Sequence, residues 1–240
     1  MVRIAIIGGG IGGLTAALAL KEFGFEAEIY EQAPALLDVG AAIALWPNAL
    51  RVLELLGLAK AIREHAGEMD EIRWLDQRGA LLNRVSIAPS VALHRADLQA
   101  TLLHALPPSS IRLEHALKAY DYGKDKIVAH FTHGEEIEAD FLIGADGIHS
   151  QVRSQVLGDG EPVYRGYTVW RGISSVAPGS ISSATAIEIH GRGRRFGIGP
   201  VGNSRIGWWA SANSRSVEAA SESRTELLRL FAGWCAPVIG

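Results

Sequence analysis

The segment Gly8-Gly9-Gly10-Ile11-Gly12-Gly13 has the residue types and the spacing needed to hold a phosphate group. It contains the pattern G-x-G-x-x-G at Gly8, Gly10 and Gly13, directly after a short apolar run. In such a turn the first glycine makes the sharp bend, the second lets a pyrophosphate approach the backbone, and the third packs helix against strand. The N-terminus of the following helix stabilises the phosphate charge. The segment therefore predicts a dinucleotide-binding turn, with a turn kept only for packing as the alternative.

A single acidic residue, Glu31, follows at the end of the next predicted strand. An acidic side chain at this place accepts hydrogen bonds from a ribose diol. It also disfavours a 2′-phosphate on that ribose, because two anions would face each other. These residues leave both NAD and the ADP half of FAD open as the ligand.

The elements that must position these residues form one βαβ unit. The β-branched run Arg3–Ile7 predicts a strand buried on both faces, Leu14–Phe23 predicts a helix ended by Gly24, and Glu26–Tyr30 predicts the next strand. The glycine turn thus lies between a strand and a helix, which is the context that the motif requires.

The remaining chain predicts a mixed α/β protein. We expect helices at Asn48–Leu58, Ala96–Leu106 and Glu218–Phe231, a hairpin at Glu71–Ile87 with its turn at Asp76–Gly79, a central strand at Asp140–Gly144, and a hairpin turn at Val201–Ser204. After about residue 162 the chain becomes rich in glycine and in short strands, which indicates a second domain.

Three further segments resemble a known family. Leu142–Ser150 with Arg153, His94–Leu98, and Val39–Ile43 with Trp46-Pro47-Asn48 are similar to motifs of the FAD-dependent aromatic-ring monooxygenases, in the branch of urate, salicylate and 3-hydroxybenzoate hydroxylases. The resemblance spans residues 2 to about 175. It implies an α/β fold with a Rossmann-like FAD-binding domain (residues 1–70 and 88–161) and an antiparallel-sheet substrate domain (residues 71–87 and 162–240).

The resemblance also assigns site residues. Gly8, Gly10, Ile11, Gly12 and Gly13 would hold the pyrophosphate, Glu31 and Gln32 the adenosine ribose, Arg95 the phosphate or ribityl region, Ala42 and Ala44 the flavin side, the Leu117 backbone the adenine, and Asp146 with Gly147 the far end of the cofactor. Arg171 would face the substrate and pair with an anionic oxygen. Arg95 and Arg171 have ordinary surface roles as alternatives, and Asp146 could cap the next helix.

The implied reaction is a hydroxylation. In this family NADH or NADPH reduces FAD, O2 forms a flavin C4a-hydroperoxide, and an aromatic or purine-like ring is hydroxylated. Two alternatives remain: an NAD-dependent dehydrogenase, and a non-catalytic or FAD-deficient truncated fragment. The second arises because the family's later Gly-Asp motif has no counterpart, Gly158-Asp159 being too early. Truncation would expose apolar surface, so a homodimer is possible.

Composition excludes several other functions. The 240 residues carry a net charge of −3, which gives no electrostatic footprint for nucleic acid, and no apolar stretch is long enough to span a bilayer. One cysteine cannot form an intrachain disulfide, so we expect a cytoplasmic protein. We expect no metal, because His130 and His133, three apart on a strand, point to opposite faces.

Overall fold

The computed structural model describes residues 2–36, 40–175, 184–215 and 224–238. Contacts group the chain into two units, the first made of Met1–Asp38 and Leu98–Val163 and the second of Val39–Asp97 and Tyr164–Gly240. The sequence-based limits place residues 39–70 and 88–97 with the FAD-binding domain instead. That division by cofactor binding remains a prediction.

The strands, in chain order, are β1 (Ile4–Ile7), β2 (Ala27–Tyr30), β3 (Ala42–Leu45), β4 (Gly67–Asp76), β5 (Leu81–His94), β6 (Ile111–Arg112), β7 (Leu117–Tyr122), β8 (Ile127–Phe131), β9 (Glu136–Ala139), β10 (Phe141–Gly144), β11 (Tyr167–Ser175), β12 (Thr185–Gly191), β13 (Arg194–Pro200) and β14 (Arg205–Asn213). The helices are α1 (Ile11–Glu22), α2 (Pro47–Leu55), α3 (Ala59–His65), α4 (Arg95–His104), α5 (Gln151–Leu157) and α6 (Arg224–Leu230), with a short 3-10 turn at Pro108–Ser110.

The first unit contains a parallel sheet in the order β10-β1-β2-β6 and an antiparallel sheet of β7, β8 and β9. All four residues of β1 are buried, as the sequence predicts for a strand covered on both faces. The prediction of a central strand at Asp140–Gly144 is wrong for the described residues: β10 pairs only with β1 and Phe141 is exposed. A short apolar run predicts that a strand forms, but it does not predict which strands pair with it.

The core of the first unit joins the two sheets. The buried residues of this cluster are Ala5, Ile7, Tyr30, Leu117, Tyr120, Ala129, Phe131, Ile137, Ala139 and Val152. Because Ile7 ends β1 and Tyr30 ends β2, this core holds the two strand ends that lead into the glycine turn and into Glu31.

The second unit is built on a seven-stranded sheet in the order β11-β14-β13-β12-β4-β5-β3. All neighbouring strands run antiparallel except β12 and β4, which run parallel. One apolar cluster contains Ile189, Ala210, Phe231 and Trp234. The predicted α/β fold, with a parallel sheet and a separate antiparallel-rich sheet, is confirmed.

Local predictions hold where turn chemistry is strong. The hairpin at Glu71–Ile87 forms between β4 and β5, and the turn at Val201–Ser204 joins β13 to β14. The helix predicted at Asn48–Leu58 corresponds to α2, which ends at Leu55 because Gly57 adopts φ +71°, and helix α3 was not predicted. Of the predicted helix Glu218–Phe231, residues 218–223 lie outside the described residues. No helix in the described parts has both the length and the apolar character needed to cross a bilayer.

Candidate functional site

The glycine turn of the first unit is fixed by backbone contacts. Gly8 has φ +108°, and a Cβ placed there would overlap the carbonyl group of Ala145. A Cβ on Gly13 would overlap the carbonyl oxygen of Gly8, so helix α1 packs too closely for any side chain. Gly12 differs, because nothing lies within 4 Å of the position its Cβ would take. Gly8 and Gly13 are therefore required by the fold, whereas Gly12 borders open space.

The N-terminus of α1 has no capping side chain. Gly10 is the N-cap residue in an extended conformation, no side chain accepts from the first turn, and that turn contains no acidic residue. The first amide groups of a helix lack intrahelical acceptors and attract anions. This 12-residue helix thus offers N–H donors at the position where the sequence predicts a pyrophosphate.

Glu31 lies beside this turn. Its carboxylate accepts hydrogen bonds from the backbone N–H of Gly9 (2.6 Å) and of Ala33 (2.9 Å), while the neighbouring Gln32 is exposed. The carboxylate is therefore held next to the glycine turn, as the ribose-binding prediction requires. The prediction of a ribose contact itself is not tested by these hydrogen bonds.

Gln99 supports the same turn and was missed by the sequence reasoning. Its side chain is 8% exposed, and its Nε2 donates to the carbonyl oxygen of Gly9 at 3.0 Å. A buried amide needs such a partner. The available signal was a glutamine among the apolar residues of a predicted helix, which indicates a specific acceptor nearby.

The structure brings Leu117 toward the same end of the first unit. The N–H of His115 donates to the Glu31 carbonyl (2.8 Å) and that of Glu114 to the Ala33 carbonyl (3.1 Å). Leu117 follows two residues later at the start of β7 and is buried. Its predicted adenine contact stays a prediction.

Asp146 performs the capping role that the sequence left open. Its carboxylate accepts from Ser150 Oγ (2.5 Å) and from the N–H groups of Gln151 (2.8 Å) and Val152 (3.2 Å) at the start of α5. The adjacent Gly147 has φ +81°. Asp146 therefore fixes the loop after β10, and a cofactor contact by the same loop is compatible with this role.

A group of potential metal ligands also lies in the first unit. Ligand atoms of His115, His133 and Glu135 lie within 4.8 Å of one another. The two oxygens of Glu135 already contact Arg112, at 2.7 and 3.1 Å. These contacts hold the pKa of Glu135 down at about 2, first through the hydrogen bond from Arg112 and then through that from His133. His130 does not join this group, because its ring nitrogens contact Asp121 and Glu136. The expectation that the protein holds no metal remains a prediction.

A cavity of about 410 Å³ opens in the first unit at the opposite ends of its strands. Val2–Ala5 and Ala27–Glu28 line it, so it lies at the amino ends of β1 and β2. Ligands of open parallel sheets bind outside the carboxyl ends, where the glycine turn and Glu31 are. None of the predicted site residues lines this cavity.

In the second unit the predicted residues Ala42, Ala44 and Arg95 come together. Ala42 pairs with His94 and Ala44 with Ala92 across β3 and β5. The N–H of Arg95 donates to Ala41 at 3.0 Å, and a Cβ on Gly40 would lie 3.1 Å from that of Arg95. Arg95 is half-buried against this segment. Its phosphate or ribityl role is not tested.

A second cavity, of about 320 Å³, lies within the second unit. Ala42, Ala44 and Arg171 all line it, which places three of the predicted residues at one site. The other lining residues are mainly apolar or aromatic, among them Trp46, Met69, Ile72, Trp74, Ala92, Ala186, Val201 and Trp209, together with the polar Glu188. A mainly apolar cavity with few polar groups is typical of a small-molecule site.

Comparison with known proteins agrees with this arrangement. The family model for the FAD binding domain matches residues 1–229. The chain is 36% identical over 246 residues to an aurachin C monooxygenase/isomerase of Stigmatella aurantiaca, covering 99% of this chain and 64% of that protein. It is 32% identical over 253 residues to an FAD-dependent urate hydroxylase of Klebsiella oxytoca, covering 99% of this chain and 65% of that protein.

A solved structure gives the same result. The Klebsiella pneumoniae HpxO complex with FAD and uric acid superposes with a TM-score of 0.89 at 28% identity, covering 99% of this chain and 64% of that one. The chain thus spans slightly less than two thirds of the length of these relatives. Neither alternative, the NAD-dependent dehydrogenase or the non-catalytic fragment, is favoured by these matches.

The residues of the first unit fit an FAD. An uncapped helix N-terminus meets open space at Gly12, and the Glu31 carboxylate is held against the same turn. Such a site provides donors for a pyrophosphate and an acceptor for a ribose. This chain belongs to the FAD binding domain family.

Proposed function

We propose that this chain provides the FAD site and the substrate cavity of a monooxygenase that hydroxylates a small aromatic or heteroaromatic ring, with O2 and either NADH or NADPH. The observation that carries the proposal is the 320 Å³ cavity lined by Ala42, Ala44 and Arg171. The family resemblance assigns the first two residues to the flavin side and the third to the substrate.

The chain's own residues would bind and orient. The N–H groups at the start of α1 would hold the pyrophosphate, and Glu31 would accept from the adenosine ribose. When bound, FAD supplies the redox and oxygen-transfer chemistry that amino-acid side chains lack. The protein then needs no nucleophile or acid–base pair of its own at the reacting ring.

The cavity would position the ring and keep water away from it. Its apolar walls favour an aromatic ring over water. Arg171 presents a guanidinium whose planar donors suit a phenolate, carbonyl or carboxylate oxygen. Within the described residues, no ion pair neutralises Arg171, so its charge is available for a substrate oxygen. A ring that carries such an oxygen substituent is electron-rich. Hydroxylation would take place at a ring position next to this oxygen.

Names of relatives support the substrate class without selecting a substrate. They include a urate hydroxylase, a 3-amino-4-hydroxybenzoate 2-monooxygenase and a 6-hydroxynicotinate 3-monooxygenase. Each name describes a planar ring with an oxygen substituent. A cytoplasmic location and a possible homodimer stay predictions of the sequence.

An FAD titration of the 240-residue chain tests the proposal, with visible absorbance and flavin fluorescence as readouts. We expect saturable binding that Glu31→Ala weakens at least about tenfold, because the ribose loses a charged acceptor. Glu26→Ala removes an exposed carboxylate one residue before β2 and serves as the matched control. The loaded protein should then oxidise NADH or NADPH faster when an aromatic substrate is added.

Two outcomes would contradict the proposal. The first is a folded chain that does not bind FAD, and the second is equal FAD affinity in both glutamate variants. Saturable binding without any NADH or NADPH oxidation, across a panel of hydroxylated aromatic rings, would reject the monooxygenase activity for this chain alone.

A further inference from the structure

Three side chains of the first unit meet where the connection from β6 to β7 approaches the turn from β8 to β9. His115 lies in the connection, and His133 and Glu135 lie in the turn. Ligand atoms of the three residues lie within 4.8 Å of one another. Glu135 Oε2 is 3.2 Å from His115 Nε2 and 3.3 Å from His133 Nε2. One carboxylate oxygen thus faces a nitrogen of each imidazole ring.

The tautomer of His115 is fixed by a backbone contact. Its Nδ1 lies 2.5 Å from the carbonyl oxygen of Leu113, which can only accept a hydrogen bond, so Nδ1 carries the proton. In the neutral imidazole Nε2 then presents a lone pair to Glu135 Oε2, which is also only an acceptor when it is ionised. Two acceptors at 3.2 Å require a cation between them, either a second proton on the ring or a metal ion.

The spacing of these atoms suits a tetrahedral metal ion. Zinc binds imidazole nitrogen at about 2.0–2.1 Å and carboxylate oxygen at about 2.0–2.2 Å, so neighbouring ligand atoms of a tetrahedron lie about 3.3–3.5 Å apart. The two nitrogen–oxygen distances, 3.2 and 3.3 Å, are close to this value. A metal-bound histidine usually donates its other ring N–H to a carboxylate or a backbone carbonyl. His115 has this hydrogen bond to Leu113.

The ring of His115 is held in place, whereas that of His133 can adjust. His115 is 9% exposed, and its ring packs against those of Tyr30 and Phe131 with centroid distances of 5.6 and 5.0 Å. The side chain of His133 is 41% exposed. Exposed side chains change rotamer readily. One ligand is therefore preorganised, and the other can turn toward an ion that the first one binds.

The charges around the cluster leave room for a cation. Arg112 lies 2.7 Å from Glu135 Oε1 through Nη1 and 3.1 Å from Oε2 through Nη2, and its charge by itself would repel a metal ion. Its Nε, however, also lies 3.9 Å from Glu28 Oε1. In this described cluster two carboxylates thus share one guanidinium, and neutral histidines leave one negative charge. Because each ionised oxygen has two lone pairs, Oε2 can accept from Arg112 and still bind a metal ion.

We propose that His115, His133 and Glu135 form a zinc site, with the two Nε2 atoms and Oε2 as ligands and water in the fourth position. The sequence-based expectation of no metal rested on His130 and His133, which lie three residues apart on one hairpin. The structure brings His133 to His115 instead, from a segment distant in sequence. The site uses none of the residues assigned to FAD or to the substrate, so it goes beyond the proposed function.

Zinc at this site would join two segments of the first unit. The segment that carries His115 also holds the backbone of Glu31, since the N–H of His115 donates to the Glu31 carbonyl (2.8 Å). The ion would fasten this segment to the turn from β8 to β9 without contacting the Glu31 carboxylate. An ion that binds the folded chain and not the unfolded chain raises the stability of the fold.

Calorimetric titration with Zn²⁺ tests the proposal. The full 240-residue chain is purified without a histidine tag, stripped with a chelator and transferred to chelator-free buffer. We expect saturable binding of one ion per chain and a rise in the unfolding temperature when zinc is added. Co²⁺ should compete for the same site and give the strong visible absorption of a tetrahedral cobalt complex.

His133→Asn is the decisive variant, because its side chain is exposed and its replacement should leave the fold intact. Loss of a residue that only orients a ligand lowers metal affinity about 10–100-fold, so loss of a ligand should cost at least about tenfold. Glu135→Gln should have the same effect. His130→Asn is the matched control on the same hairpin, since its ring contacts Asp121 and Glu136, and zinc affinity should stay within about twofold.

The proposal is overturned if the wild type does not bind zinc, which is the result expected when a second proton on His115 supplies the cation. It is also overturned if His133→Asn binds zinc as tightly as the wild type, or if His130→Asn alone abolishes binding. Glu31→Ala, which tests the FAD site, should leave zinc affinity unchanged. The zinc site and the proposed function can therefore fail separately.

Discussion

The glycine turn of the first unit and the cavity of the second are built in different ways. The turn is made by neighbouring residues in the chain, and its close contacts join backbone to backbone, as between Gly13 and the Gly8 carbonyl. The cavity is lined from strands as distant in sequence as β3 and β14. Its close contacts join backbone to side chains, as between Gly197 and Trp209.

This difference determines how each region tolerates change. A backbone atom cannot move without its neighbours, whereas a side chain can turn by about 30° from its rotamer at a cost of about 1 kcal/mol. We therefore expect the turn to be rigid and specific for a common chemical group, and the cavity to be the part that varies with the substrate.

The largest expected effect is that of Gly13→Ala. The added methyl group overlaps the Gly8 carbonyl oxygen, and neither backbone segment can yield alone. We expect the free energy of unfolding to fall by about 3 kcal/mol or more. Chemical denaturation followed by circular dichroism measures this loss.

Gly12→Ala is the matched control, one residue earlier in the same helix. Its methyl group meets nothing within 4 Å, so stability should change by less than about 0.5 kcal/mol. FAD affinity should nevertheless fall about tenfold, if the open space is the pyrophosphate site. Full FAD affinity in Gly12→Ala would show that this space has no role in binding.

Gly207→Ala in the cavity should have an intermediate effect. Its Cβ would overlap that of Ala42 and come within 2.9 Å of Val201 Cγ1. The Cβ of Ala42 moves only with its backbone, whereas Val201 can change its rotamer, so we expect a loss of about 1–3 kcal/mol in the free energy of unfolding. Thermal and chemical unfolding check the value.

A second substitution makes this prediction sharper. In Ala42→Gly/Gly207→Ala the methyl group moves from one strand to the other, and most of the stability should return. Gly199→Ala, with its nearest contact at 3.6 Å, should cost little. If the double variant is no more stable than Gly207→Ala, the cavity wall is as rigid as the glycine turn and the comparison fails.

The sequence predicted the contiguous features well. Strand β1, helix α1, strand β2 and the close packing at Gly13 follow from apolar periodicity and from glycines at fixed spacing. The turn at Val201–Ser204 follows from its residue types, and Asn203 and Ser204 indeed adopt φ +53° and +54°. In each case the information lies within a few residues.

The features made by distant residues were missed. Gln99 contacts Gly9 across 90 positions, and no local pattern indicates its acceptor. The pairing of Arg171 with Trp209 and of Glu188 with Trp74 depends on the strand order of the second unit, which periodicity does not give. Gly197 and Gly199 lie on the same face of β13, because residues two apart on a strand point to the same side. This spacing was the available signal for a face on which β13 carries no side chains of its own.

The first unit also contains a cluster of side chains that the sequence did not predict, formed by the contacts of Glu135 with Arg112, His115 and His133. Two segments, 112–115 and 133–135, supply these residues, and no motif predicts their contact. Arg112 is the last residue of β6, and its carbonyl oxygen accepts a hydrogen bond from the N–H of Glu31 (2.9 Å). A side-chain cluster thus lies directly beside a backbone-built site, and its contribution can be measured through pH.

The smallest predicted effect concerns this cluster at low pH. The pKa of Glu135 is lowered from 4.5 to about 2, chiefly by the hydrogen bond from Arg112, so folding favours the ionised carboxylate. Its contribution to stability is fully present above about pH 4.5 and is lost as pH falls through about 2. The stability difference between the wild type and Glu135→Gln should therefore shrink over this interval, as denaturation at several pH values would show.

Glu138→Gln removes an exposed carboxylate from the nearby β9 and controls for the loss of charge. Because Glu135 is one third exposed and solvent screens the pair, the effect should remain well below that of Gly13→Ala. A difference that stays constant from pH 7 to 2 would show that the cluster stabilises the fold by packing, as the cavity does, and not by charge.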